Sequence, residues 1–474
     1  MRIIGRRAEL QELTRVERSR KSELVCVYGR RRVGKTFLVE QTFRGCFAFR
    51  ATGVEGGNTR QQLRSFNQRL REQGDTIRTI PKDWFEAFSR LANVLSQDGV
   101  HRSVHGKRIV FLDEFSWFAT PRSDFLMAFG KFWNRCGTID GDLVVIICGS
   151  ATSWIIGNII ENTGSLYDRV TSQIHLEPFS LRVTEEFFAD REFAWSRKQI
   201  AECYMVFGGL PYFLELLDGD DSLRQNIDRL CLSPHALLRG ESKILLEATL
   251  KKSPIYDQVL ALLAKRRYGM RRQACFEELG LARGSFERAV KELVRCGYVR
   301  EYKDPSKKRN PTYLQLVDPF LLFHYRFLSD NHPEVLSWGD FSQEAGSVAN
   351  WRGAAFEVLC LGHTLQIKQA LGIAGVKTTE YPWTSEKTIG GAQADLVIER
   401  ADGITNLCEM KFTDTPFSID ANYEVRLLNK MAVYAKEAQM KQPIRLVLVS
   451  ASGMADATHT EHISRVVTLD DLFA

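Results

Sequence analysis

The sequence predicts an α/β protein of several domains, and three observations carry that prediction. Its 474 residues exceed what a single hydrophobic core organises, so two to four domains are expected. Over the first 220 residues, short apolar runs alternate with longer amphipathic stretches, the pattern of a doubly wound parallel sheet. The first buried run leads into a basic loop flanked by glycines, Gly29-Arg30-Arg31-Arg32-Val33-Gly34-Lys35-Thr36, of the form GxxxxGK[ST].

The elements follow in order. Residues 23–28, 46–49, 108–112 and 143–148 are apolar runs of the length and β-branched content of buried parallel strands, with helical segments between them. Residues 222–250 read as a connecting helix. Residues 252–330 hold three helical segments, at 255–263, 271–278 and 285–296, then two short strands at 299–302 and 312–316. Gly284-Ser285 suits a helix start and Cys296-Gly297-Tyr298 a helix end. A polar patch at 340–350 marks the next boundary. From Trp351 the pattern is a helix, strands at 394–398 and 406–411, a further helix, and a strand at 444–450. There is no internal repeat.

Composition excludes several function classes. Hydrophobic residues make up 44% and charged residues 26%, as in soluble globular proteins. No apolar run approaches the ~18 residues that span a bilayer, and Met1-Arg2-Ile3-Ile4-Gly5 has no signal core. Ten cysteines without CxxC pairing suggest neither a zinc ribbon nor a disulfide framework. A cytoplasmic chain with reduced thiols and no membrane partner is expected. The net charge of +6 is uneven: residues 241–330 hold 18 Lys/Arg against 11 Asp/Glu, and residues 341–474 hold 12 against 16. The basic middle suits a polyanion or a solvated face.

The basic loop carries the strongest chemistry. Backbone N–H groups from Gly29, Arg30, Arg31, Arg32, Val33 and Gly34 would converge on phosphate oxygens, helped by the dipole of the helix that Phe37 continues. Lys35 would reach the β- and γ-phosphates of ATP, and the Thr36 hydroxyl would ligate Mg²⁺. The strand at 109–112 ends in Asp113, placed to hold Mg²⁺ through water, and Glu114, placed to polarise an attacking water. Ser150, at the tip of the next strand, suits either γ-phosphate sensing or plain turn chemistry. Arg169 is either a phosphate-binding finger, in cis or from a neighbouring copy, or an exposed loop residue.

Together with Ile4-Gly5-Arg6-Arg7-Ala8-Glu9-Leu10, Asp113-Glu114-Phe115, Cys148-Gly149-Ser150 and Gly208-Gly209-Leu210-Pro211-Tyr212, the chain resembles the archaeal-type P-loop ATPases of prokaryotes. These are AAA+-like and STAND-like proteins, similar in layout to origin-recognition ATPases. The resemblance covers most of the chain, because such proteins also carry a winged helix and a C-terminal nuclease-like domain. It implies that Ile4, Gly5 and Arg6 lie near the adenine and that Pro211 packs on the nucleotide. The family often has Gly where this chain has Asp168, a departure that bears on Arg169.

Three helices and a basic hairpin form the layout of a winged helix. Arg288, Lys291 and Arg295 share roughly one face of the third helix, and Lys307, Lys308 and Arg309 lie in the wing. This surface suits a DNA backbone, although winged helices in ATPases also serve as lids or dimer surfaces. In the last domain, Glu357 lies on a helix, Asp395 begins a strand, and Glu409-Met410-Lys411 ends another, with Glu409 and Lys411 on one face. Two carboxylates and a lysine suit Mg²⁺ held by Asp395 and Glu409, with Lys411 holding a water. The set resembles the PD-(D/E)xK, restriction-endonuclease-like core, with Glu357 as the helix-borne acid and Ala394 where Pro is usual. A cross-strand Glu–Lys pair would give the same ExK spacing.

The expected organisation is a P-loop ATPase domain with a helical lid at 1–220, a connecting helix and winged helix at 221–335, and a nuclease-like domain at 345–474. The expected function is an ATPase coupling nucleotide state to a DNA-directed, metal-dependent nuclease-like domain, possible as a homo-oligomer. The alternative is an ATP-driven switch whose nuclease-like domain only binds. Asp113-Glu114 and the two appended domains do not suit a metabolic kinase.

Overall fold

The computed structural model describes residues 2–137, 141–161, 166, 168–250, 253–329, 337–343, 347–386, 391–455 and 459–474. The chain forms two compact units, Met1–Pro178 with Glu247–Lys251, and Phe179–Leu246 with Lys252–Ala474. Of the boundary expected at 335–345, residues 335, 336, 344 and 345 lie outside the described residues, and most of the rest is a short helix, Trp338–Gln343.

The first unit contains α1 (Arg7–Arg18), β1 (Glu23–Gly29), α2 (Lys35–Thr42), β2 (Phe47–Thr52), α3 (Thr59–Glu72), α4 (Trp84–Leu95), β3 (Arg108–Asp113), α5 (Phe115–Phe118), α6 (Phe125–Cys136), β4 (Leu143–Gly149), α7 (Thr152–Ile155) and β5 (Ser172–Leu176). The strands form one parallel sheet in the order β2-β3-β4-β1-β5. β3 and β4 are buried along their whole length, as continuous apolar runs require. β5 alternates buried and exposed residues at the sheet edge, and no apolar run announces it. Helix α3 starts at an Asn58–Gln61 capping box and buries Leu63, Phe66 and Leu70 on one stripe. Phe66 meets Trp84, Phe88 and Phe118, and Trp84 meets Phe125, so the layer over the sheet is an aromatic core. Because all strands run parallel, Gly29, Asp113 and Gly149 end at the same edge of the sheet.

The second unit begins with α8 (Leu181–Asp190), α9 (Arg197–Phe207), α10 (Pro211–Glu215), α11 (Leu223–Ile227) and the first part of α12 (Glu241–Thr249), which from Glu247 belongs to the first unit. The single connecting helix expected over 222–250 is broken. A wide turn at Asp228–Leu232 ends at Ser233, whose backbone is extended, and Pro234 follows. Pro disfavours a helical residue before it and supplies no N–H, so the helix stops there. Next come α13 (Pro254–Ala264), β6 (Met270–Arg271), α14 (Arg272–Leu279), α15 (Arg283–Arg295), β7 (Val299–Lys303) and β8 (Thr312–Leu316), with a small antiparallel sheet in the order β6-β8-β7. Helix α15 ends at Cys296, followed by Gly297 at φ 72°, a left-handed position that suits glycine.

The remainder holds α16 (Pro319–Phe323), α17 (Trp338–Gln343), α18 (Ser347–Gly362), α19 (Thr364–Ala370), β9 (Thr378–Thr384), β10 (Gln393–Arg400), β11 (Thr405–Lys411), α20 (Ala421–Glu437), β12 (Ile444–Ser450), β13 (Ile463–Thr468) and α21 (Leu469–Leu472). The sheet order is β13-β12-β11-β10-β9, with β9 and β10 antiparallel to their neighbours and β11, β12 and β13 parallel. The two edge strands, β9 and β13, mix polar residues with apolar ones, and Pro382 in β9 is tolerated because an edge strand leaves one side unpaired. Neither is visible as an apolar run.

Candidate functional site

The loop between β1 and α2 is shaped by its glycines. Gly29 has φ 148°, and a Cβ there would come within 2.3 Å of the Leu176 carbonyl oxygen. Gly34 has φ 90° and opens α2. The Lys35 ammonium, buried in the loop, donates to the carbonyls of Gly29 at 2.9 Å and Arg30 at 2.8 Å and to the Ser150 hydroxyl at 3.1 Å. Burial pulls it below the usual lysine range, opposed by the nearby Glu114 and Asp113 carboxylates. Thr36 donates its hydroxyl to Asp113 Oδ2 at 2.9 Å. This pair of hard oxygen donors fits Mg²⁺.

The sheet order explains how distant residues meet. β4 lies between β1 and β3, so its tip sits beside the loop and beside Asp113-Glu114. Ser150 uses that place twice: it accepts from Lys35 and donates its hydroxyl to Glu114 Oε1 at 2.9 Å, while its N–H reaches Oε2 at 3.3 Å. Glu114 itself stands at φ 46°, in the left-handed region, between β3 and α5. Arg6 donates to the carbonyls of Val33 at 3.1 Å and Glu177 at 2.8 Å, tying the segment before α1 to the phosphate loop. That clamp has no signal in the sequence. Arg31, Arg32 and Val33 complete the loop, Arg32 at φ 72°, and Phe37 lies in α2. Ile4 and Gly5 precede the Arg6 clamp, with Gly5 at φ 68°. Arg169 is exposed on the turn before β5. Pro211 opens α10 in the second unit, where the preceding Gly209 accepts from the Phe179 N–H at 2.7 Å.

The second unit brings the other carboxylates together. β10 and β11 form a hairpin through Gly403, at φ 85°, and Leu396 pairs with Cys408, which sets Asp395 beside Glu409. A bulge between Ala394 and Val397 on the β9 side re-aims the strand at Asp395. Asp395 accepts from the Met410 N–H at 2.8 Å and from the Tyr268 hydroxyl at 2.9 Å. Glu409 accepts from Lys411 at 2.6 Å, from the Tyr423 hydroxyl at 2.5 Å, and from Lys430. Burial and the neighbouring Glu409 raise the Asp395 carboxyl above its ordinary range. Glu409 is also penalised by burial, but Lys430 and Lys411 overcome this and bring it down to about 2.

Glu357, buried on α18, is turned to a different partner. Arg267 grips both its oxygens, through Nε at 2.7 Å and through the adjacent nitrogen. Among the described residues no three His, Cys, Asp or Glu side chains are grouped to hold a metal ion. The oxygen donors of Asp395 and Glu409 still suit a hard divalent cation by chemistry. The sequence reading missed Lys430, Arg267 and Tyr268. Lys430 is seven residues from Tyr423 on one helix face, a spacing that contained the signal. Arg267 and Tyr268 had none.

The basic face expected on α15 is present in part. Arg288 and Lys291 are exposed opposite the buried Phe286, Ala289, Val290 and Leu293, and Arg295 is half-buried. Lys308 and Arg309 are exposed in the hairpin. Lys307 is instead folded inward, donating to the Tyr313 hydroxyl at 3.0 Å and pairing with Asp304 at 3.5 Å. All ten cysteines are free thiols, and no helix among the described residues is long and apolar enough to cross a membrane.

The chain is 24% identical over 334 residues to an uncharacterized protein of Methanocaldococcus jannaschii, covering 69% of each chain. Two similar solved structures are a Walker-type ATPase of Pyrococcus abyssi, with 17% identity and a TM-score of 0.49, and the Aeropyrum pernix ORC2 protein, with 16% and 0.46. They cover 69% and 68% of this chain, and 96% and 93% of theirs. Residues 4–217 match the model of a family described as an ATPase domain predominantly from Archaea. With the phosphate loop, Thr36–Asp113 and Ser150–Glu114 contacts in that span, residues 4–217 carry an archaeal-type ATPase domain.

Proposed function

We propose that the chain binds ATP with Mg²⁺ at the phosphate loop, hydrolyses it, and couples nucleotide state to a nuclease-like domain directed at DNA. The observation that carries the ATPase half is the Lys35–Ser150–Glu114 relay beside Thr36–Asp113. Lys35 would release its carbonyls to phosphate oxygens, Thr36 and Asp113 would hold the ion, and Glu114 would orient a water. When bound, Mg²⁺ offsets charge on the phosphates. Ser150, touching both Lys35 and Glu114, is placed to report a γ-phosphate to the carboxylate.

The nuclease half rests on Asp395, Glu409 and Lys411 at one end of the β10–β11 hairpin. Asp395 and Glu409 would hold Mg²⁺, and Lys411 would orient a water or meet the phosphate. Elements α13 to β8 have the order of a winged helix, and Arg288, Lys291, Lys308 and Arg309 offer an exposed cationic surface to a DNA backbone. Arg169, exposed, is a candidate finger for a neighbouring copy.

A second reading is favoured by one observation. Arg267 and Tyr268 already hold Glu357 and Asp395, as in a nucleotide-driven switch whose last domain only binds. One assay separates the two: plasmid and linear single-stranded DNA with Mg²⁺ or Mn²⁺, with and without ATP, beside Glu409→Ala and Lys411→Ala. Cleavage lost in both variants supports the nuclease. No cleavage with ATP hydrolysis intact supports the switch.

A further inference from the structure

A cleft of about 810 Å³ lies within the second unit, between the turn after α13 and the edge of β9 and β10. Five cations line it, Lys265, Arg266, Arg267, Arg271 and Lys307, against two acids, Asp304 and Glu386. Both acids are already matched: Lys307 pairs with Asp304, and Arg271 with Glu386. Arg267 is matched by the buried Glu357 behind the cleft wall, and Arg266 meets Glu278 at the exposed rim. The surplus positive charge of the cleft therefore rests on Lys265, with Arg266 and Arg267 turning their solvent-facing sides to it. Tyr268, Tyr302 and Tyr313 also line it, with the last two rings stacked at 5.2 Å and 11°. Tyr302 is buried beneath Tyr313 and Arg300, so the half-buried Tyr268 and Tyr313 are the rings a base could meet beside the cations. An unpaired strand suits them because bases in a duplex have no free face to stack.

The same turn closes the acid set. Arg267 holds both oxygens of Glu357, and Tyr268 donates to Asp395. Arg267 is still 45% exposed, while Glu357 is 3% exposed, so a ligand in the cleft can reach the guanidinium but not its partner. A phosphate matches the planar guanidinium as well as a carboxylate does. We propose that this cleft binds a single-stranded polynucleotide, and that its phosphate takes Arg267 from Glu357 and thereby opens the acid set. The second half rests on the reading of Asp395 and Glu409 as a metal site; the first half does not. A ligand shifts a closed state to an open one only by binding the open state better, and competition for Arg267 supplies that difference.

The test uses the full chain and a fluorescein-labelled dT12 oligonucleotide, followed by anisotropy in EDTA, so that cleavage plays no part. Lys265→Ala with Arg266→Ala changes two exposed side chains, and the expected result is about a tenfold loss of affinity with a salt slope shallower by about 1.4. Affinity and slope equal to the unaltered chain overturn the cleft, as does an acidic peptide displacing dT12 at equal charge concentration. The opening is read by Mn²⁺ calorimetry without nucleotide, counting only heat that Glu409→Gln removes. dT12 should raise Mn²⁺ affinity about tenfold, and Arg267→Ala should show the raised affinity without dT12. Tyr268→Phe, which removes a single hydroxyl, is the second variant in case Arg267→Ala unfolds. Raised affinity in either variant, with no effect of dT12 on the unaltered chain, overturns the competition. Mn²⁺ bound by no form overturns the metal reading and the opening together, while the EDTA result decides the cleft separately.

Discussion

Two clusters in this chain are built from the same parts, a lysine and strand-end carboxylates, and they differ in what their charges already hold. At the phosphate loop, Lys35 is satisfied by two backbone carbonyls and a hydroxyl, and Asp113 and Glu114 receive hydroxyls. These are neutral partners, which a phosphate or a cation outcompetes at modest cost. At the β10–β11 hairpin, Glu409 is held by two ammonium groups and Glu357 by a guanidinium. There the ion pairs are complete within the protein, and a ligand must displace one charge with another. Residue type alone does not distinguish an available site from a closed one; the charge state of the partners does.

The contrast is broken or sharpened by five measurements. Lys35→Ala should lower ATP turnover by roughly 10³-fold, as loss of a preorganised charge at the reacting phosphates does, with phosphate release as the readout. Turnover within tenfold would mean the loop is not the hydrolytic site. Glu114→Gln should slow turnover by roughly 10²-fold or more while ATP retention on a filter persists. Lost retention would make Glu114 a binding group instead.

At the closed cluster the expected effect is on stability. Glu409→Ala leaves Lys411 and Lys430 facing each other, and urea unfolding should show a loss of about 3 kcal/mol. A loss under about 1 kcal/mol would mean the carboxylate is not engaged in solution. The same group predicts an acid dependence. Its folded pKa lies near 2 against an ordinary 4.5, so its stabilisation is full above about pH 4.5 and is lost as pH falls toward 2. Glu409→Gln should remove that part of the acid transition, although Asp395, shifted the other way, works against it.

The smallest effect concerns His363, buried at the end of α18. Its Nε2 accepts from the Leu181 N–H at 3.1 Å, and its Nδ1 lies 2.8 Å from the Leu359 carbonyl. Burial lowers its pKa from 6.5, so the neutral ring is the folded form. Stability is full above pH 6.5 and declines as pH falls, because protonating Nε2 sets a proton against the Leu181 N–H. His363→Gln should flatten that decline in thermal melts between pH 7 and 5; an unchanged slope would assign it elsewhere.

Much of the phosphate-loop site is legible in the sequence because its chemistry depends on local order. Gly29 to Thr36 form one turn, and Asp113-Glu114 and Ser150 are strand tips whose preceding apolar runs mark them. The edge strands β5, β9 and β13 are not legible, since a strand with one unpaired side need not be apolar. At the hairpin, the Glu409–Lys411 spacing is visible because side chains alternate along a strand. The Asp395–Glu409 contact needs the strand register.

The sequence by itself determined the parallel sheet, the phosphate loop and the residue types of both clusters, because periodicity and turn chemistry act over a few residues. Only the tertiary structure decided which partners those residues hold. Arg6 on Val33, Ser150 between Lys35 and Glu114, and Arg267 on Glu357 are contacts across 27, 115, 36 and 90 residues. No local propensity encodes such pairings; they arise when packed elements bring charges together in a medium that leaves none of them unpaired at low cost.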